Sequence, residues 1–264
     1  MKALPLILIA GWGHTGDAML RLKEALAGHS MDGYPMAGQP IQVTSTGELW
    51  QARSSGTLPR ASGLSRYAVG LHDLLAIRRL TDGRVGVIGW SMGGIVALET
   101  AREYPGLIQR LVIISGTPRF SAGNDAPPGV SAAVLRAMVL GLRRTPDNVL
   151  TAYYAKVHAP QSGPVAAATT RAQDIALLDH SELLQGLDYL QRIDLRNGLN
   201  QISLPTLVVH GREDGIVPWQ AGEWLSRALA ASQWRCYENY GHALPIQAPL
   251  LLAADICAFL GDPA

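Results

Sequence analysis

A serine set between glycines is the residue of this sequence that points most directly to chemistry. Ser91 lies at the centre of Gly89-Trp90-Ser91-Met92-Gly93, which fits the pattern G-x-S-x-G. An apolar run ends at Gly89 and an amphipathic stretch follows, which predicts a tight strand-to-helix turn with small residues where strand and helix come close. The N–H groups at the helix start would face a developing oxyanion. We therefore predict that Ser91 is a catalytic nucleophile.

A serine hydroxyl is a poor nucleophile unless a base takes its proton and a carboxylate orients that base. Two later segments supply these groups. Asp214 follows the apolar run that ends at His210, and His242 lies on the loop after the last predicted strand. We predict that Asp214 and His242 complete a triad with Ser91. Glu213 is the alternative acid, but the glycine after Asp214 suits a tight turn that holds the Asp214 carboxylate inward.

The loop after the first apolar run is a candidate for binding the oxyanion. It reads Gly11-Trp12-Gly13-His14. In enzymes with a nucleophile on such a turn, one oxyanion N–H comes from the residue after the nucleophile and another from a loop of this kind. We assign these roles to the backbone N–H groups of Met92 and Trp12, although Trp12 could instead be a core aromatic residue. His14 is a further candidate for contact with substrate.

Short apolar runs that alternate with amphipathic stretches are typical of a parallel sheet covered by helices on both faces, so we predict an α/β fold. The runs are apolar at successive positions, as in strands buried on both faces. The predicted strands are 4–9, 85–89, 111–115, 206–210 and 234–238, with another around 41–44. The predicted helices are 17–27, 65–80, 93–103, 220–230 and 249–260.

The interval between the third and fourth clear strands lacks this alternation. Residues 117–185 begin with a stretch rich in glycine and proline and continue through helical pieces at 131–143 and 149–157. Long structureless loops are rare in compact domains, so an inserted helical cap is the better interpretation. We predict a catalytic core formed by residues 1–116 and 186–264, interrupted by a cap at 117–185.

Charge and composition exclude several classes of function. The chain has 22 basic and 21 acidic residues and a net charge of +1, which provides no broad field for nucleic acid or an anionic membrane. Its start resembles a signal peptide, but the apolar run is short and contains a proline, so we expect a cytoplasmic protein. Neither of the two cysteines has the spacing of a zinc site, and we expect no metal.

These motifs together resemble those of the α/β-hydrolase superfamily, and within it the pimeloyl-(acyl-carrier protein) methyl ester esterases of biotin synthesis, the BioH-like esterases. The resemblance covers nearly the whole chain. The segments that carry it are 6–13, 89–94, 190–196, 202–207, 214–218 and 241–243. Ala10 departs from the family, which usually has a histidine before the Gly-Trp-Gly loop. The stretch 28–63 also lacks a turn that is usual there.

The resemblance implies a serine carboxylesterase that needs no cofactor. Ser91, Asp214 and His242 match its triad, while Trp12 and Met92 match its oxyanion donors. The implied substrate is the methyl ester of a pimeloyl chain on acyl carrier protein. A generalist short-chain carboxylesterase or thioesterase of the same fold is the main alternative, and a non-catalytic ligand-binding protein is a remote one.

The resemblance also implies roles for the cap. Tyr153 matches an aromatic position that lines the acyl-chain tunnel. Cap arginines dock the acidic carrier protein in this family, and Arg136, Arg143 and Arg171 are the candidates here, although solvated helix charges are an equally good interpretation. Arg136 and Arg143 are seven residues apart and share one face if they lie on a helix. No other protein partner is implied, and we expect a monomer.

Overall fold

Six parallel strands form a sheet in the part of the chain that the structure describes. A computed structural model describes residues 4–29, 40–51, 65–77, 85–161, 175 and 177–262. Within these ranges the strands are β1 Leu6–Ala10, β2 Ile41–Ser45, β3 Gly86–Trp90, β4 Arg110–Ile114, β5 Thr206–Gly211 and β6 Ser232–Tyr237. Their order is β2-β1-β3-β4-β5-β6, and all neighbours are parallel. The predicted α/β fold is therefore confirmed.

Each predicted strand is present, with ends that differ from the prediction by at most two residues. Strands β1, β3 and β5 are buried at every position. A strand covered by helices on both faces needs apolar side chains at successive positions, which explains the continuous apolar runs. The edge strand β6 is buried only at Tyr237.

Helices follow most strands. They are α1 Leu20–Gly28, α2 Thr46–Gln51, α3 Arg66–Ile77, α4 Met92–Glu103, α5 Ala132–Arg144, α6 Pro146–His158, α7 His180–Arg192, α8 Trp219–Ala228, α9 Leu244–Gln247 and α10 Pro249–Gly261. The last three residues of the helix predicted at 65–80 lie outside the described residues. No helix in the described ranges is long and apolar enough to cross a membrane.

Helices α5, α6 and α7 lie between β4 and β5, and α5, α6 and the first part of α7 fall in the segment predicted as a cap. The Ser131 side chain accepts a hydrogen bond from the N–H of Val134 and so caps the start of α5. Pro146 occupies the first turn of α6, where a missing N–H costs nothing. Residue 185, the predicted end of the cap, lies inside α7. The division into core and cap remains a prediction.

The loops that carry the candidate site lie at one edge of the sheet. Parallel strands have their carboxyl ends at the same edge. Trp12 follows β1, Ser91 follows β3, Asp214 follows β5 and His242 follows β6. Residues that are far apart in the sequence are thereby brought to a common edge.

Candidate active site

Ser91 occupies a strained turn between β3 and α4. Its backbone has φ = 55° and ψ = −121°, a conformation that non-glycine residues seldom adopt. The N–H of Ser91 donates to the carbonyl of Ile114 at 2.8 Å, which holds the turn against the end of β4. Strain of this kind persists where the surrounding structure enforces it, and it is common at active sites.

The glycines of the motif allow the close approach of α4 to the sheet. A Cβ atom on Gly89 would lie 2.5 Å from the Cα atom of Gly94, and one on Gly93 would lie 2.5 Å from the carbonyl oxygen of Ile9. Gly11 is similarly close to the nucleophile, because a Cβ atom there would lie 3.0 Å from the Cβ atom of Ser91. Larger side chains at these positions would displace the serine.

Asp214 and His242 are in direct contact. The Nδ1 atom of His242 lies 2.7 Å from Oδ2 of Asp214, and both side chains are completely buried. The other carboxylate oxygen, Oδ1, accepts hydrogen bonds from the N–H groups of Ile216 and Val217, each at 2.8 Å. Glu213, the alternative acid, is exposed. The geometry favours Asp214 over Glu213 as the partner of the histidine.

The electrostatics of this pair stabilise the carboxylate anion. Burial alone would raise the pKa of Asp214, but the nearby His242 imidazole and hydrogen bonds from His210 and His242 outweigh it. The pKa of Asp214 is therefore held well below its usual range, and the residue is an anion at neutral pH.

His242 is held in place through its backbone. Its carbonyl oxygen accepts hydrogen bonds from Nε1 of Trp90 at 2.8 Å and from the hydroxyl of Ser115 at 3.3 Å. Its Nε2 atom is buried and has no hydrogen-bond partner among the described residues. An imidazole that is held at Nδ1 and has no partner at Nε2 has the arrangement that a general base requires.

Trp12 is anchored by residues of α6 and α7. Its indole N–H donates to the carbonyl of Leu183 on α7 at 2.8 Å, and its own carbonyl accepts from the Tyr153 hydroxyl of α6 at 3.1 Å. The rings of Trp12 and Tyr153 meet edge to face, with centroids 4.8 Å apart. The loop predicted to bind the oxyanion is therefore fixed from the side of α6 and α7.

His14 is buried beside this loop. Its Nδ1 atom lies 2.9 Å from the carbonyl oxygen of Trp12, and its ring packs against Trp90, Tyr153 and Tyr154. Burial lowers the pKa of His14 to about 3, so the ring is neutral at neutral pH. His14 lines a second cavity rather than the one that Ser91 lines.

An apolar cavity of about 310 Å³ opens at Ser91. Trp12 and Tyr153 line it together with Ser91, and among the described lining residues one, Lys156, is charged. The remaining lining residues are Phe120, Val130, Val134, Ala137, Met138, Val149, Ala152, Leu187, Leu190, Gly215 and Ile216. Such a lining suits an aliphatic acyl chain.

The cations predicted to dock a partner differ in their surroundings. Arg136 and Arg143 are both exposed on α5. Arg171 lies outside the described residues. Arg119, an arginine of the segment predicted as a cap, is buried and pairs with Asp125 at 2.8 Å, so it is not available at the surface.

Sequence reasoning missed two residues that contact the site. The hydroxyl of Tyr154 donates to the carbonyl of Gly13. The Nε2 atom of His210 lies 3.1 Å from Oδ2 of Asp214. The position of His210 at the end of a buried strand, four residues before Asp214, was the available signal. No cluster of three or more potential metal ligands occurs in the part of the chain that the structure describes.

Comparison with known proteins agrees with this architecture. The alpha/beta hydrolase fold family matches residues 54–249, which is well over half of the chain. Among solved structures, a bromoperoxidase from Bacillus anthracis has a TM-score of 0.82 at 21% identity and covers 99% of this chain and 93% of its own. An esterase from Exiguobacterium antarcticum has a TM-score of 0.81 at 18% identity, covering 99% and 94%. At these identities the likeness concerns the fold.

Curated relatives are closer in sequence. The pimeloyl-(acyl-carrier protein) methyl ester esterase of Nitrosomonas europaea is 33% identical over 61% of this chain and 65% of its own length. The protein of the same name from Shewanella oneidensis is 30% identical over 81% of this chain and 74% of its own length. The match to the Nitrosomonas protein thus spans a little under two thirds of that relative. The chain belongs to the alpha/beta hydrolase fold family, and within it is similar to esterases of this name.

Proposed function

We propose that this protein is a serine carboxylesterase that works through an acyl-enzyme on Ser91. The buried contact between Nδ1 of His242 and Oδ2 of Asp214 carries the proposal, because it fixes a base at the sheet edge where Ser91 lies. The strained turn that presents Ser91 to an apolar cavity supports the same conclusion. The names of the relatives agree with it.

In the first half of the reaction, Nε2 of His242 takes the hydroxyl proton of Ser91 as Oγ bonds to the ester carbon. The anionic Asp214 stabilises the resulting imidazolium. The N–H groups of Trp12 and Met92 stabilise the tetrahedral oxyanion, where one donor contributes about 10²- to 10³-fold in kcat. The bond to the alcohol oxygen then breaks, and the alcohol leaves with the proton from His242.

In the second half, His242 takes a proton from water as the water oxygen attacks the acyl carbon. The bond to Oγ breaks, Ser91 recovers its proton, and the carboxylic acid is released. These steps use only the protein's own groups and water.

The substrate that we propose is the methyl ester of a pimeloyl chain carried on acyl carrier protein, cleaved in the course of biotin synthesis. The names of the relatives support this choice, and an apolar cavity beside Ser91 suits the methylene chain. Methanol is then the first product, and the thioester to the carrier must survive. Exposed cations on α5, Arg136 and Arg143, provide a surface for an acidic carrier protein.

A generalist esterase or thioesterase is the second candidate. A cavity lined almost wholly by apolar side chains would accept many short acyl esters, which favours this candidate. A non-catalytic binding protein is a third, and the intact Asp214–His242 contact argues against it.

A fluorophosphonate probe tests the chemistry, because it labels only an activated serine. We expect wild-type protein to be labelled and to hydrolyse p-nitrophenyl butyrate, and Ser91→Ala to do neither while keeping its circular dichroism spectrum. Turnover retained by Ser91→Ala would overturn the proposal.

Growth of a biotin-requiring bacterial strain that lacks its own methyl ester esterase tests the substrate. Rescue by wild-type protein and not by Ser91→Ala is the expected result. Failure of rescue, together with rapid hydrolysis of simple esters, would favour the generalist enzyme instead.

A further inference from the structure

A second histidine touches the acid of the proposed triad. His210, near the end of β5, is completely buried. Its Nε2 atom lies 3.1 Å from Oδ2 of Asp214 and 3.1 Å from the carbonyl oxygen of Val217. Oδ2 of Asp214 therefore lies between two imidazole nitrogens, since Nδ1 of His242 approaches the same oxygen at 2.7 Å.

The identity of these neighbours determines where the hydrogen of His210 lies. A carboxylate oxygen and a peptide carbonyl oxygen are both acceptors, and neither can donate a hydrogen bond. A favourable contact with either one requires the hydrogen on Nε2. The N–H forms a hydrogen bond with the Val217 carbonyl, and Oδ2 of Asp214 lies at the same distance from Nε2, so a three-centred hydrogen bond can include the carboxylate. That second branch is charge-assisted.

The position of the His210 ring is fixed by packing. A Cβ atom at Gly222 of α8 would lie 2.4 Å from Nδ1 of His210, so the helix backbone packs directly against the ring. The ring of Trp234 lies on another side, with the centroids 6.3 Å apart. Nδ1 has no hydrogen-bond partner within the described part of the chain. The ring thus has one polar attachment, through Nε2.

We infer that His210 is a positioning residue for the proposed triad: its Nε2–H donates to Oδ2 of Asp214 and holds that oxygen in line with Nδ1 of His242. The inference rests on the proposed function, since it concerns the same carboxylate. His210 touches neither the substrate nor Ser91 in this role. It acts by restricting the carboxylate and by sharing its negative charge.

The remaining groups around this pair are neutral at neutral pH. Tyr153 faces Asp214, and its pKa is raised by burial, with a contribution from the Asp214 charge. His14 faces His242, and its pKa is lowered to about 3 by burial. The N–H groups of Ile216 and Val217 occupy the other oxygen of Asp214. The charge on Oδ2 is therefore balanced chiefly by His210 and His242.

Removing the His210 donor should shift the pH dependence of kcat/KM to higher pH. Oδ2 would then share its charge with one donor rather than two, and it would attract the protonated form of His242 more strongly. A base that holds its proton more tightly becomes active only at higher pH. The pH at which kcat/KM reaches half of its plateau should therefore rise.

The test compares His210→Met, which removes the donor, with His210→Gln, whose amide places an N–H near the position of Nε2. We expect His210→Met to lower kcat about tenfold with little change in KM. We also expect it to raise the half-maximal pH of kcat/KM for p-nitrophenyl butyrate by about half a unit. His210→Gln should restore both values toward wild type. Circular dichroism and thermal unfolding establish that each variant is folded.

A role in packing alone would lower the thermal midpoint in both variants and leave the half-maximal pH unchanged, and that result would overturn the inference. If His210→Met does not fold, His210→Gln provides the test. A kcat tenfold below wild type with an unshifted half-maximal pH in that variant would also overturn the inference. Ser91→Ala separates the two proposals. If Ser91→Ala retains turnover, the proposed function fails, whereas an inactive Ser91→Ala with no pH shift in His210→Met defeats only the role of His210.

Discussion

The hydroxyl of Tyr153 donates a hydrogen bond to the carbonyl oxygen of Trp12 at 3.1 Å, across 141 positions of sequence. Beside it, the hydroxyl of Tyr154 donates to the carbonyl of Gly13. Two consecutive residues of α6 therefore hold the loop after β1, which supplies the proposed oxyanion donor. Helix α6 thus both lines the apolar cavity and fixes this loop.

Tyr153→Phe should lower kcat/KM for simple esters about threefold to tenfold. The change removes one buried hydrogen bond, worth about 1 kcal/mol, while the ring still packs against Trp12. The loss should appear mainly in kcat, because the Trp12 N–H is needed most in the transition state. Tyr104→Phe, at the far end of α4 from Ser91, is the matched control and should be close to wild type. Equal kinetics in both variants would contradict the role of the Tyr153 hydroxyl.

Gly186→Ala should impair the same loop from α7. A Cβ atom at Gly186 would lie 2.4 Å from Cδ1 of Trp12, so the indole must move. We expect kcat/KM to fall about tenfold, because a small displacement of a catalytic group is costly. Gly28→Ala is the control, since a Cβ atom there meets nothing within 4 Å. If steady-state kinetics of Gly186→Ala match those of Gly28→Ala, the ring position of Trp12 does not matter for catalysis.

Asp214→Asn should lower kcat by about 10⁴-fold, because an amide in place of the carboxylate no longer holds the His242 tautomer with hydrogen on Nδ1. Glu213→Gln removes the charge of the neighbouring residue. Because that side chain is exposed, the change should alter kcat less than about twofold. Steady-state kinetics of the two variants at pH 8 provide the comparison. The reverse ranking would assign the acid to Glu213.

Acidification should destabilise the fold in part through His14. Its folded pKa of about 3 lies below the usual value of 6.5. Between these values the unfolded chain binds a proton that the folded protein does not. The contribution of neutral His14 to the free energy of unfolding is therefore complete above the unfolded pKa. It is lost as pH falls, by about 2 kcal/mol between pH 7 and pH 5.

Urea unfolding at pH 7 and pH 5 measures this loss. The free energy of unfolding of His14→Asn should fall less over that interval than that of wild type. Asparagine keeps a donor for the Trp12 carbonyl but does not titrate. An equal fall in the two proteins would show that His14 titrates as it does in the unfolded chain.

Local pattern was enough to predict much of this protein. The strands were recognisable because burial on both faces demands continuous apolar runs, as in β1 and β3. Ser91 was recognisable because its turn needs glycines at Gly89 and Gly93, where a side chain would collide with the backbone. Such requirements act within a few residues, so they leave a mark in the sequence.

The contacts that orient the site depend on how distant segments fold back. His210 looks like any buried histidine in the sequence, and only the course of the chain after β5 returns Asp214 to its Nε2 atom. Tyr153 and Tyr154 lie on an amphipathic helix whose spacing does not reveal which carbonyls their hydroxyls meet. The sequence by itself determined the fold class and the candidate nucleophile, acid and base. The tertiary structure alone decided which side chains hold them, because those contacts arise from the packing of helices against loops that no local pattern encodes.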